Sequence, residues 1–220
     1  MGTLVRLRVS PTRLADTLRD EHGVDVDEAG AERALAAEIG YYRAHHDEGR
    51  DPASLADLRV RCAAALRDGL GPGARALDAA SLVPGLLGAL RFESYDDAAP
   101  ALARLREAGL RLAVASNWDV SLHDVLRVLG LEAAVDAVVA SAEVGASKPD
   151  PRVLRAALDR LGVAAGEAVH VGDSAEHDVR AAERAGVGAV LLARPPARRT
   201  GSVGEVPVIG SLDELSVLAA

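Results

Sequence analysis

The sequence predicts an α/β fold: a parallel sheet with crossover helices on both faces, interrupted early in the chain by a helical insertion. Three observations carry this. From residue 96 onward, short apolar runs alternate with helical stretches, the pattern of strands joined by crossover helices. Residues 11–90 instead repeat apolar positions at steps of three and four, the stripe of a small antiparallel helical bundle. The residue types able to do chemistry stand just after the apolar runs, where an open parallel sheet presents its carboxyl ends to ligands.

Taken in order, Pro11 to Asp20 places Leu14 and Leu18 four apart, and Leu35, Ile39 and Tyr42 follow at helical spacing. Leu55, Leu58, Cys62 and Leu66 make the third stripe. Gly69, Gly71, Pro72 and Gly73 break the pattern, and a last helix is expected over 75–90 despite Pro84 and Gly85. Asp96 or Asp97 then caps a helix with Leu102 and Leu105 that Gly109 ends. Strands are expected at 110–116, 135–140, 168–172 and 187–192. Asp119 opens the helix after the first, and Asp150-Pro151, a cap followed by a proline, opens another. Residues 194–206, rich in Pro, Arg and Gly, read as a surface loop before a short helix near 211–218.

Composition narrows the function classes. The 220 residues are 49% hydrophobic and 26% charged, with net charge −8 and 2% aromatics. No basic face for nucleic acid or an anionic membrane is implied, and no base-stacking platform. No window approaches the roughly 18 apolar residues of a membrane span, and the first residues carry no secretory apolar region. A single cysteine, Cys62, sits in an apolar helical register. It reads as core, and a reducing cytoplasm is the expected compartment.

The first strand ends in Ser116-Asn117, the loop after the second holds Lys148-Pro149, and the third ends in Gly172-Asp173-Ser174 with Asp178 five residues on. A hydroxyl, an ammonium and two carboxylates thus converge on one edge. That set suits a phosphoryl group with a divalent cation, because lysine supplies a point charge and hard carboxylates hold magnesium. Each residue alone has a plainer reading, as a helix cap or a solvated charge. Their order along successive strand ends is what singles them out.

Several other features have plain readings. His45, His46 and Asp47 are read as solvated at a helix end, and His177 as facing outward. Trp118 is read as gating the pocket or, equally, as packing beneath the following helix. Arg194, Arg198 and Arg199 are read as loop charges, and Tyr41 and Tyr42 as helix packing.

These motifs resemble the haloacid dehalogenase superfamily. Residues 112–117 (Leu-Ala-Val-Ala-Ser-Asn) look like its second motif, Ser147 to Pro151 like its third, Val171 to Asp178 like its fourth, and Met1 to Val5 like the tail of its first. The resemblance implies a Rossmann-like core, here 1–10 and 91–220, with a mobile helical cap at 11–90. It implies that Ser116 hydrogen-bonds a phosphoryl group, that Lys148 neutralises charge, and that Asp173 binds Mg2+ with Asp178 in support. Gly2 and Thr3 would shape the first loop, and Asn117 and Trp118 would line the pocket mouth.

In the family, the first motif runs from a central strand into Asp, any residue, usually Asp, then Gly-Thr. Gly2-Thr3 matches its end, Met1 stands at the second aspartate, and the nucleophile would precede Met1. The resemblance therefore implies that the central strand, between those ending in Ser116 and Asp173, is missing. Residues 3–8 are then candidates to fill the slot, and the chain as given is expected to be inactive or nearly so, with poor solubility or dimerisation through the gap. A start placed too late would explain this. The leading expectation is a magnesium-dependent phosphatase of a small phosphorylated metabolite. A haloacid dehalogenase, which needs no metal, and a non-catalytic binding descendant are the alternatives.

Overall fold

The computed structural model describes residues 2–195, 201–203 and 205–219. The chain divides into two compact units, Leu7–Phe92, and Met1–Arg6 with Glu93–Ala220. Strands β1 (Val5–Val9) and β2 (Leu90–Ser94) pair with each other as a two-stranded ribbon. The ladder is flanked by Tyr95 N–H to Leu4 O at 3.0 Å and Ser10 N–H to Ala89 O at 2.9 Å. Those bonds run in opposite chain directions, so the ribbon is antiparallel.

The helical unit contains α1 (Pro11–His22), α2 (Glu28–His45), α3 (Pro52–Leu70) and α4 (Ala79–Ala89). Their starts are written locally. Ser10 Oγ accepts Arg13 N–H before Pro11, and Asp27 accepts Gly30 N–H. Asp51 and Ser54 form a reciprocal capping box ahead of Pro52. The four helices close on one core that includes Leu14, Leu18, Leu35, Leu58, Cys62, Leu66, Leu82 and Leu86. The side chain expected least in such a core is Glu38, 4% exposed on α2.

In the other unit, the order is α5 (Ala98–Glu107), β3 (Ala113–Ser116), α6 (Leu122–Val128), β4 (Ala137–Ala140), α7 (Ser141–Val144), α8 (Arg152–Leu161), β5 (Val169–Gly172), α9 (Arg180–Ala185), β6 (Gly188–Leu192), β7 (Gly201–Val203) and β8 (Val206–Ile209). Strands β3 and β4 pair in parallel from Ala113 opposite Ala137 to Ser116 opposite Ala140. Strands β5, β6 and β8 form a second parallel set, with β7 antiparallel on its edge. Helix α8 packs on β3 and β4, with Val153 and Ala157 against Val139. Leu154 meets α9 through Ala181 and Ala182.

The α/β class expected from the sequence is therefore present, with differences in detail. Among the described residues, β3 and β5 belong to separate sheets. All four residues of β3 are only half-buried and Val169 of β5 is 52% exposed, although parallel strands are ordinarily covered on both faces. The strand of the 3–8 segment, β1, pairs with β2 rather than with β3 or β5, and β2 takes Leu90, the last residue expected to be helical, which already has extended dihedrals. The expected loop at 194–206 contains β7 and runs into β8, whose Pro207 hid the strand pattern. The expected 211–218 helix is a 3-10 helix, Leu212–Ala219. Met1, Arg198 and Arg199 lie outside the described residues. His45 and His46 are half-buried rather than solvated; the His45 ring stacks on Tyr41 at 4.0 Å between centroids and Nδ1 lies 2.7 Å from Tyr41 O.

Candidate active site

The site is organised around a buried ion pair. Lys148 Nζ donates to Asp178 Oδ1 at 2.6 Å and to the main-chain oxygen of Ala115, on β3, at 2.8 Å. Both side chains are under a tenth exposed. Asp178 also accepts Ser174 N–H on Oδ2 at 2.9 Å, and His170 Nε2 stands 3.0 Å from Oδ1. A carboxylate only accepts, so His170 carries its proton on Nε2.

Local backbone makes this possible. After β5 the chain enters a π-helical turn, Ala175–Val179, capped by the Ser174 hydroxyl. The wider turn is a recurrent device at functional sites; here it lets Asp178 fold back over the end of β5. Gly172 gives it room, since a β-carbon there would stand 2.2 Å from Asp178 Cγ. Burial would raise the Asp178 carboxyl. The His170 hydrogen bond and the Lys148 charge outweigh it and hold the group well below the usual carboxylate range. Burial pushes the His170 imidazole down, more than Asp178 raises it, so the ring is neutral at neutral pH.

Ser116, at the end of β3, is half-buried, and its hydroxyl has no hydrogen-bond partner among the described residues. Asn117, expected at a pocket mouth, bonds to the main chain of Lys148. Its Nδ2 donates to Lys148 O at 2.9 Å and its Oδ1 accepts Lys148 N–H at 2.8 Å. Both amide ends are thus used to bracket the lysine main chain, ahead of a cis Lys148-Pro149 bond. Trp118, read as gating the pocket or as packing beneath the following helix, is 3% exposed. Its N–H donates to Ser141 Oγ at 3.0 Å.

Asp173 is exposed. Among the described residues its carboxylate accepts one hydrogen bond, from Thr3 Oγ1 to Oδ1 at 2.8 Å. Gly2 lies directly against it, with φ +120° and no space for a side chain, because a β-carbon would stand 2.3 Å from Asp173 Oδ2. Gly2 and Thr3 therefore support Asp173. Gly2→Ala is expected to displace that carboxylate and lower divalent-cation affinity at least tenfold, at a stability cost of about 1–3 kcal/mol. Manganese titration followed by electron paramagnetic resonance checks this; unchanged affinity refutes the close approach.

A magnesium ion accepts one or two protein carboxylates and keeps its waters or phosphate oxygens for the rest. Asp173 fits that need with Oδ2 open. Asp178, expected to support the ion, accepts from Lys148 and His170 on Oδ1 and from Ser174 N–H on Oδ2, so any support it gives would run through a remaining lone pair, as a hydrogen bond to a metal-bound water. Among the described residues no three His, Cys, Asp or Glu side chains cluster as a metal site, so the donors present fit an ion held through one carboxylate. Two residues here were not anticipated. His170 looked like an ordinary strand residue; its only signal was sharing the strand face of Gly172. Arg194, read as a loop charge, is anchored beside Gly2 and Thr3. His177 is exposed, its Nδ1 3.0 Å from Ser174 Oγ.

Comparison with known proteins places the chain in a family. The glyceraldehyde 3-phosphate phosphatase of Methanopyrus kandleri is 41% identical over 104 residues, 47% of this chain and 45% of that protein. The phosphoserine phosphatase of Thermus thermophilus is 44% identical over 105 residues, 47% of this chain and 42% of that protein. The chain thus matches less than half the length of these two curated relatives. Among solved structures, 2-haloacid dehalogenase from Pseudomonas syringae superposes with TM-score 0.63 at 24% identity, covering 100% of this chain and 95% of that one; it speaks for the fold alone. The haloacid dehalogenase-like hydrolase profile matches residues 2–186, and this chain belongs to that hydrolase family.

Proposed function

We propose that this chain takes the phosphoryl group of a small phosphorylated metabolite, together with Mg2+, at the carboxyl ends of β3 and β5, and that it is of the phosphatase type within its family. Three side chains support the reading: a buried ammonium (Lys148) bonded to Ala115 O of β3, the unpartnered hydroxyl of Ser116 at the end of that strand, and an exposed carboxylate with one oxygen unpartnered (Asp173) just after β5. A dehalogenase has no use for the carboxylate that fits a metal, so this geometry favours phosphate. Two curated relatives bear the names of phosphatases of small metabolites. Bound magnesium would polarise the phosphoryl group and screen its charge. Asp173 would hold it, Lys148 would offset phosphoryl charge, and Ser116 would orient a phosphoryl oxygen.

In this reading residues 11–90 are the cap that chooses the substrate and residues 1–10 and 91–220 the core, acting in the reducing cytoplasm where Cys62 stays a thiol. The chain binds phosphate and turns it over slowly or not at all. Of its two site carboxylates, Asp178 is engaged by Lys148, His170 and Ser174 and Asp173 would be engaged by the metal, so neither would be free to attack phosphorus.

The test is thermal unfolding with inorganic phosphate, with and without Mg2+, beside p-nitrophenyl phosphate hydrolysis. Phosphate is expected to raise the melting temperature only when Mg2+ is present, as ligand binding to the native state requires, with hydrolysis at background. Absence of any shift sinks the phosphate reading. Turnover well above background sinks the binding-only part, and metal-free halide release from a 2-haloacid transfers the chain to the dehalogenase class.

A further inference from the structure

The Arg194 side chain follows β6 and is only 15% exposed. Four of its five N–H donors are committed. Nη2 and Nη1 meet the two oxygens of Asp97 at 2.8 and 3.0 Å. Nε donates to Gly2 O at 3.0 Å and Nη2 to Thr3 O at 2.7 Å. The guanidinium also lies over the Tyr95 ring, 3.7 Å from its centroid. Asp97 is fixed in turn, its Oδ2 accepting Ser211 Oγ–H at 2.8 Å and Leu212 N–H at 2.9 Å. Bidentate pairing and stacking together are an arrangement that lysine cannot reproduce.

The two carbonyls that Arg194 holds belong to the residues that touch Asp173: Thr3 through its hydroxyl and Gly2 through its bare α-carbon. Among the described residues, the further main-chain bonds of this stretch are Gly2 N–H to Val5 O and Tyr95 N–H to Leu4 O. Neither ties residues 2 and 3 to the end of β6.

We propose that Arg194 is a positioning residue which, anchored by Asp97 and Tyr95, clamps the Gly2–Thr3 segment against Asp173 and so sets that carboxylate for its ligand. The metal part of this rests on the function proposed above; the clamp itself does not.

The experiment separates the two. 15N relaxation of the full chain reads residues 3 and 4 directly. Order parameters near 0.85 are expected, falling below about 0.6 in Arg194→Ala, while those of α8 stay unchanged. Arg194→Lys, which keeps a charge for Asp97 and perturbs packing less, is expected to loosen the segment as well. If residues 3 and 4 remain rigid in both variants, the clamp is refuted. Manganese titration forms the second arm. Arg194→Ala and Thr3→Val each weaken binding about tenfold, and the double variant is no weaker than Arg194→Ala alone, because both act through one contact. Additive losses, or unchanged affinity beside a loosened segment, overturn the link to Asp173. If the unmutated chain binds no manganese, the metal reading falls and the relaxation arm still decides the clamp.

Discussion

Lys148→Met is expected to destabilise the α/β unit by about 3–5 kcal/mol at neutral pH, the range for removing one partner of a buried ion pair. The cause is what remains. Asp178 stays buried and ionised, with His170 and the Ser174 N–H as its other donors, and Ala115 O loses its 2.8 Å bond to the ammonium. The sole tryptophan, Trp118, is buried in this unit, so urea unfolding followed by its fluorescence reports this transition. Asp178→Asn is expected to be similarly costly, since it strands the ammonium instead. The double variant should lose clearly less than the sum, because each change removes the charge the other leaves unpaired.

The pH dependence has a definite sign. Asp178 is held below the ordinary carboxylate range in the native chain, so the unfolded chain takes up its proton first as pH falls. The pair's stability is therefore present above about pH 4 and is lost progressively below it. Lys148→Met lacks much of that contribution, so its deficit should shrink as pH drops from 4 toward 2. A deficit that stays constant over that interval would mean that packing, not charge, explains the loss. In phosphate binding the variant should fail at every pH, since no other described lysine stands at the site; Lys148 is the chain's sole lysine.

How far these features were readable follows from how local each one is. The helix starts at Ser10-Pro11 and Asp51-Pro52 are legible because a cap and its helix are neighbours in sequence. Ser116 and Asp173 could be singled out because each stands at the carboxyl end of a short apolar run, at the end of β3 and just after β5, whereas Lys148 lies in the loop after α7 and reaches β3 only through its bond to Ala115 O. What was not legible depends on contacts across the chain. Nothing near Asn117 states that its amide will bracket a lysine thirty-one residues away. Arg194 lies in a Pro- and Arg-rich stretch that reads as solvated, and only the folded chain brings Asp97 and Gly2 to it. The β1–β2 ribbon escaped for the same reason: two short runs flanking a long helical insertion carry no local sign that they will pair. The ion pair that Asp178 makes with Lys148 was not legible either, because spacing puts a carboxylate near a strand end without saying which neighbours it will bond.

Glu38→Gln is expected to stabilise the helical unit by about 3 kcal/mol at pH 8 and above, and by almost nothing near pH 4.5. Glu38 is 4% exposed on α2, and burial raises its carboxyl to about 7 from an ordinary 4.5, a rise that its hydrogen bond with the Cys62 thiol only partly opposes. The raised value means that the folded chain holds this proton while the unfolded chain has released it. Stability therefore declines as pH climbs from about 4.5 to 7 and levels off beyond; a displacement of that size corresponds to roughly 3 kcal/mol. Glutamine keeps the shape and never ionises, so its advantage should grow across the same window. The lone cysteine is the probe: Cys62 is 3% exposed in the helical core and is the chain's only thiol. Its labelling rate, compared between the two proteins at each pH so that thiol ionisation cancels, measures opening of this unit alone. A ratio that is flat from pH 5 to 8 would show that Glu38 reaches water in the native state. A ratio that grows by about two orders of magnitude, the equivalent of ~3 kcal/mol, would identify the buried carboxyl as the reason the helical unit loosens above neutrality while the α/β unit, whose ion pair fails only in acid, does not.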